Sequence, residues 1–190
     1  SRSIEVDRNG ALLLEIFAAI RRDFPQATAV VAAASPVVAQ RFEQIAGTLP
    51  VGTTLMTNVI DQAAQWCDFA VAVSGTVTLD LTRARKPVIG LYRAGALACV
   101  GARIMLKAPY RLLPNILAGR ELVPEFVPYS GSSEPIIAAA LKMAGDAQWR
   151  AEISSGLDAV ASTFAGHDPG LESAQVILRV AGLSAAKHST

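Results

Sequence analysis

The sequence predicts an α/β fold: a doubly wound, mainly parallel sheet with helices on both faces and further helices at the C-terminus. Three observations predict it. Short apolar runs alternate with amphipathic stretches of helical period, the pattern of strands joined by crossover helices. Runs such as Thr28 to Ala34 and Phe69 to Val73 are nearly unbroken, as strands covered on both faces require. Hydrophobic residues make up 52% of the 190 and charged residues only 17%, so the chain can bury a large core and is not disordered.

The elements follow in order. Leu12, Leu13, Ile16, Phe17 and Ile20 place a helix over Asn9 to Asp23; Arg21 and Arg22 suit its negative end and Pro25 stops it. Thr28 to Ala34 is a strand. Ser35-Pro36 gives a cap and a first-turn proline, opening a helix to Ala46 that buries Val37, Val38, Phe42 and Ile45. After a turn at Gly47 to Gly52, Thr53 to Thr57 is a strand, and Asn58, with Asp61 three residues on, caps a brief helix ending near Trp66. The strand at Phe69 breaks at Ser74-Gly75-Thr76, a helix follows at once, and Pro87 to Leu91 is the next strand.

Ala94 to Lys107 reads as a helix with Leu97, Val100, Ile104 and Met105 as its apolar set. Pro109 to Pro128 is a proline-punctuated loop, too long for a plain connector. Helices over Glu134 to Met143, Gln148 to Phe164 and Leu171 to Ala181 close the chain, residues 145–183 forming a C-terminal helical part, with Met143, Trp149 and Phe164 in the core. The opening polar turn runs straight into a helix, so the domain over residues 1–190 is expected to be truncated before its first strand.

Net charge is +1, which gives no case for nucleic acid. Cys67 and Cys99 have no CxxC companions and are expected to be buried free thiols in a reduced compartment. With only His167 and His188 available, neither a metal site nor a cofactor is expected. No apolar stretch reaches the roughly 20 residues of a membrane span and no signal peptide is seen, so a cytoplasmic protein is expected. One local feature remains. From Leu81 to Arg120 there are eight basic residues (Arg83, Arg85, Lys86, Arg93, Arg103, Lys107, Arg111, Arg120) and no acidic one, leaving 9 basic against 16 acidic elsewhere. Just ahead of them, Ser74-Gly75-Thr76 aims N–H groups and hydroxyls at the head of a helix, a setting that suits an anion.

Two runs carry a family resemblance: Ser74-Gly75-Thr76-Val77-Thr78-Leu79-Asp80, and Leu113-Pro114-Asn115-Ile116-Leu117-Ala118-Gly119-Arg120-Glu121-Leu122-Val123-Pro124-Glu125. Together with Lys86-Pro87 into Leu91-Tyr92-Arg93, and Ser1-Arg2 with Glu5 beyond, the chain resembles lipid-A-disaccharide synthases, glycosyltransferases of the two-domain GT-B type. The resemblance implies a Rossmann-like C-terminal GT-B domain. It implies the half that binds UDP-2,3-diacylglucosamine in an inverting transfer to 2,3-diacylglucosamine 1-phosphate, a step of lipid A and lipopolysaccharide biosynthesis. The catalytic base and the lipid acceptor would belong to an N-terminal acceptor domain, so this chain alone would be inactive. Placement at the cytoplasmic face of the inner membrane, against an anionic surface, is implied as well.

By the same resemblance Arg2 would stabilise the leaving diphosphate, and Arg2, Ser74, Gly75, Thr76, Asp80, Asn115 and Arg120 would contact the donor. The family has glutamate where this chain has Asp80, and glutamine near the position of Pro128. Each residue also has a plain structural reading. Arg2 is a solvated terminal arginine, Glu5 a first-turn helix acid, and Ser74 to Thr76 an ordinary capped turn. Asp80 pairs with Arg83 or Arg85, Asn115 forms a turn and Glu121 meets a neighbouring arginine. The helix from Ala94 is either a buried crossover or a basic surface for a membrane. Two rival functions stay open: another GT-B-like UDP-sugar enzyme (an epimerase or transferase), or a non-catalytic nucleotide- or anion-binding module.

Overall fold

The computed structural model describes residues 3–73, 75–105, 108–166 and 169–181 and, of residues 3, 103, 104 and 169, the backbone alone. Its elements run α1 (Ser3–Asp23), β1 (Ala29–Ala33), α2 (Pro36–Ala46), β2 (Thr53–Thr57), α3 (Ile60–Trp66), β3 (Ala70–Val73), α4 (Val77–Arg83), β4 (Val88–Arg93), α5 (Ala96–Met105), α6 (Leu113–Ala118), β5 (Glu125–Tyr129), α7 (Glu134–Gly145), α8 (Ala147–Ser162) and α9 (Pro169–Val180). Every strand pair is parallel. β1 pairs with β2 and, separately, β3 with β4 and β4 with β5, giving a two-stranded and a three-stranded sheet. The α/β class with helices on both faces is as expected. The division of its sheet into two was not.

Helices α1, α2 and α7 pack together on one face, and α3, α4, α6 and α8 on the other. The crossover from β1 to β2 uses the first face and that from β3 to β4 the second. Opposite faces follow when crossovers of one hand wind in opposite directions. The core joins both layers to β4: Leu12 and Ile16 of α1, Val88, Ile89 and Leu91 of β4, Ile136 and Met143 of α7, and Leu157 of α8 are all buried.

Local chemistry explains most boundaries. Ser35 caps α2, accepting from the Val38 N–H at 3.4 Å, with Pro36 in the first turn. Asp146 caps α8 through the Trp149 N–H at 2.8 Å. Five expectations are corrected. Helix α1 begins at Ser3, not Asn9. Asn58 does not cap α3: it sits at φ 57°, and the cap position is Val59 with no side-chain bond. Val37 and Phe164 are exposed; Val37 is on the outer side of α2, and Phe164 lies past the end of α8. The long loop holds both α6 and β5. Helix α8 packs into this core through Ile153, Leu157 and Val160.

Candidate active site

The ends of β3 and β4 place the candidate groups. In parallel α/β sheets, ligands sit beyond the carboxyl ends of the strands, and β3 ends at Val73 directly before the Ser74–Thr76 turn. Arg2 and Ser74 lie outside the described residues. Gly75 and Thr76 are exposed, and Thr76 holds the N-cap position of α4 without a side-chain cap bond. Its hydroxyl is therefore not consumed by capping. Thr78, by contrast, is buried, donates its hydroxyl to the Gly75 carbonyl at 2.9 Å and accepts on its own carbonyl from the Thr82 hydroxyl at 2.6 Å. That residue fixes the shape of the turn. Because α4 has only seven residues, its dipole is weak, and individual N–H groups and hydroxyls carry any anion contact.

Asp80 is half-buried one turn along α4, lining the same cavity as Glu5, Gly75 and Thr76. The expected pairing with Arg83 or Arg85 is not formed: Arg85 pairs with Asp158 of α8 instead. Sequence reasoning missed a neighbour of this region. Asn9 is fully buried; its amide donates to the Glu5 carbonyl at 2.7 Å, and its Oδ1 accepts from the Arg93 N–H at 2.9 Å. It ties the start of α1 to the carboxyl end of β4. An asparagine between helix positions on an apolar stripe was the available signal, since a buried amide must be satisfied on both ends.

The second run is organised differently. Asn115 is buried on α6, and its amide donates to the Val123 carbonyl at 2.9 Å and to Glu125 at 3.0 Å. Its Oδ1 accepts from the Leu122 and Val123 N–H groups at 2.8 and 2.9 Å. Glu125, also missed, accepts from the Arg111 N–H at 2.6 Å and the Leu112 N–H at 2.9 Å, which caps the start of α6. Gly119 ends α6 in the left-handed region at φ 64°, where glycine carries no side-chain penalty. So the run from Leu113 to Glu125 folds on itself, and Asn115 positions that loop from inside; it does not reach outward.

Nor is the basic cluster one patch. Arg83, Arg85 and Lys86 follow α4 and precede β4, at the amino edge of the sheet, where Lys86 donates to the Cys67 carbonyl at 2.8 Å. Arg120 is exposed near that same edge, five residues before β5 and against α8 at Gly156. Only Arg93 of these lies at a strand's carboxyl end, where its guanidinium donates to the Gly131 carbonyl at 3.3 Å. Lys107, and the side chain of Arg103, lie outside the described residues. Arg120 is therefore not brought together with Gly75, Thr76 and Asp80. Of the apolar residues on α5, Leu97 is 87% and Met105 83% exposed, and Val100 is exposed too. Among the described side chains of that helix, only Cys99 is deeply buried. Among the described residues no helix is long and apolar enough to cross a membrane.

Comparison with known proteins bears on this arrangement. A family model described as lipid-A-disaccharide synthetase matches residues 1–159. The chain belongs to this family. Among curated relatives, a lipid-A-disaccharide synthase of Thiobacillus denitrificans is 36% identical over 163 residues, covering 84% of this chain and 43% of that protein. One of Pseudomonas aeruginosa is 29% identical over 181 residues, covering 95% of this chain and 47% of that protein. One of Pseudomonas entomophila is 33% identical over 146 residues. The chain spans less than half the length of the curated relatives it matches. Asp80 lines the cavity and Pro128 lies on β5, an edge strand of its sheet, which tolerates a residue without an N–H.

Proposed function

We propose that this chain is the donor-binding half of a lipid-A-disaccharide synthase, an inverting glycosyltransferase acting on UDP-2,3-diacylglucosamine. The observation that carries the reading is the family match over the segment that contains the exposed Gly75-Thr76 turn at the carboxyl end of β3. In this reading the turn holds the diphosphate and Asp80 holds a hydroxyl of the ribose or sugar. Arg2 neutralises the charge that grows on the leaving UDP, the kind of preorganised stabilisation that lowers such barriers most. Asn115 acts at one remove, as a positioning residue. Arg120 is the weakest member of the set, since it sits by the opposite edge.

The acceptor, 2,3-diacylglucosamine 1-phosphate, and the catalytic base belong in this reading to an N-terminal domain, and the chain on its own does not turn over. The outward Leu97, Val100 and Met105 of α5 support a lipid-facing surface at the inner membrane, because both substrates carry acyl chains. Titration calorimetry with UDP tests the core of the proposal. A folded sample should bind UDP at millimolar or lower concentration and prefer it to inorganic phosphate, and Arg2→Ala should weaken that binding about tenfold or more. No heat of binding at millimolar UDP, from protein folded by circular dichroism, removes the donor reading.

A further inference from the structure

Helix α1 sets one polar side chain in its buried stripe. Among its described side chains those from Ile4 to Arg8 are exposed or half-buried, Asn9 is 0% exposed, and Leu12 and Ile16 beyond it are 2% exposed. A leucine at the same place would spare the desolvation of an amide, so whatever Asn9 contributes lies in its two bonds. The Arg93 N–H can only donate, which turns Oδ1 toward β4 at 2.9 Å and leaves Nδ2 to reach back one turn to the Glu5 carbonyl at 2.7 Å. The amide is thus held at both ends, one in the helix and one in the sheet.

Those bonds lie where α1 leaves the sheet. Asn9 meets the carboxyl end of β4, and the other end of α1 meets the approach to β1, where the Ala27 N–H donates to the Phe24 carbonyl at 2.9 Å. Helix α1 therefore runs antiparallel to the strands. From Asn9 back to Ser3 it projects about 9 Å past that bond. Glu5, on the projecting part, lines a cavity of about 930 Å³ together with Gly75, Thr76 and Asp80. The turn comes from the other side: Val73 pairs with Leu91, so the chain passes into Gly75-Thr76 beside Arg93. The first turns of α1 and the Gly75-Thr76 turn are two sides of one opening, and Asn9 is bonded to the support of each. Below Asn9 the helix is held by Leu12 and Ile16, and apolar contact is non-directional. A hydrogen bond, by contrast, weakens steeply with distance and angle.

We propose that Asn9 is a positioning residue for donor binding: its bond to the Arg93 N–H sets the spacing between the first turns of α1 and the Gly75-Thr76 turn. The inference rests on the donor reading and adds to it a residue that touches no ligand. In that reading the diphosphate of UDP is met from both sides, by Arg2 just ahead of α1 and by the turn. Its affinity therefore follows the spacing between them, and a misplacement of about 1 Å can cost up to about 100-fold. A single phosphate is small enough to be held by the turn alone. Asn9 thus governs the preference for a diphosphate over a phosphate, and not the attraction of the turn for an anion as such.

Asn9→Leu in the 190-residue chain tests it against Leu12→Ala, a large-to-small change at a buried site one turn away that destabilises α1 and leaves both bonds of Asn9 in place. Asn9→Leu is expected to weaken UDP binding about tenfold in titration calorimetry and to change the affinity for inorganic phosphate less than about twofold. It should also shift the amide resonances of Gly75 and Thr76. Leu12→Ala, with its urea midpoint lowered as much or more, is expected to keep UDP affinity within about threefold and those resonances in place. Unchanged UDP affinity in Asn9→Leu overturns the proposal and leaves Asn9 as the partner of one strand N–H. Equal losses in the two variants, or equal losses for UDP and phosphate, overturn it as well, because a general loosening of α1 would account for them. If the unaltered chain binds no UDP at millimolar concentration, the donor reading fails by itself and the resonances decide. Gly75 and Thr76 shifted by Asn9→Leu but not by Leu12→Ala then uphold the positioning role, and unmoved ones refute it. Should Asn9→Leu not fold, Asn9→Ala is read in the same way.

Discussion

Replacing Asn115 with alanine separates a folding role from a ligand role at one position. The side chain is 0% exposed and makes four hydrogen bonds, two donated and two accepted. Alanine would strand the N–H groups of Leu122 and Val123 and the carbonyl of Val123, all in a buried segment. A buried polar group without its partner costs about 1–3 kcal/mol. Three such groups, with partial relaxation, cost roughly 3–6 kcal/mol, a large share of the roughly 5–15 kcal/mol that holds a domain folded. For a chain of this size each kcal/mol lowers Tm by about 2–4 °C, so a drop of about 6–24 °C is expected. Urea unfolding gives the stability, and UDP titration at a temperature where the variant is folded gives affinity, expected to change less than about threefold. An unchanged urea midpoint together with a tenfold loss of UDP affinity would refute the reasoning and make Asn115 a direct donor contact.

Two further outcomes follow from packing and exposure. A Cβ at Gly90 would fall 2.2 Å from Leu112 Cδ1, so Gly90→Ala should push α6 off β4 and destabilise the protein by about 1–3 kcal/mol, read in the urea midpoint; an unshifted midpoint would mean that Leu112 swings aside freely. The double variant Leu97→Glu, Met105→Glu should leave the urea midpoint in place, because both side chains are exposed, yet lower cosedimentation with vesicles containing anionic phospholipid several-fold; undiminished cosedimentation would remove α5 from the membrane surface.

Strands and helices with strong periodicity were legible in the chain: the stripe from Leu12 to Ile20 lies within α1 and the buried run at Val88 to Leu91 within β4. β5 was hidden by Pro124 and Pro128, which argue against a central strand and are tolerated on the edge strand that β5 is. Helix α6 is only six residues long and gains its cap from Glu125, seven positions past its end, which no local pattern announces. The charge cluster misled for a related reason. Residues adjacent in sequence but on either side of a strand fall at opposite ends of the sheet, so Arg83 to Lys86 and Arg93 are separated by the length of β4. At the site, the Gly75-Thr76 turn could be read in sequence because its small residues interrupt an apolar run. Asn9 and Glu125 could not, because their partners are backbone groups 84 and 13 or 14 residues away.

The bond from Arg93 to Asn9 also decides where a strand stops. β3 and β4 run in register through Val73 opposite Leu91, and the next donor on that edge of β4 is the Arg93 N–H. In a longer β3 that donor would take the main-chain carbonyl next after Val73. Asn9 supplies the acceptor instead, at 2.9 Å, a side chain from a different element standing in for a missing rung. The rung that would prolong β3 beyond Val73 is thereby occupied, and the chain goes on to the exposed Gly75 and Thr76. An asparagine acting as a surrogate strand residue thus sets the reach of the turn, and any exchange at Asn9 would be felt first as a change in how far β3 extends.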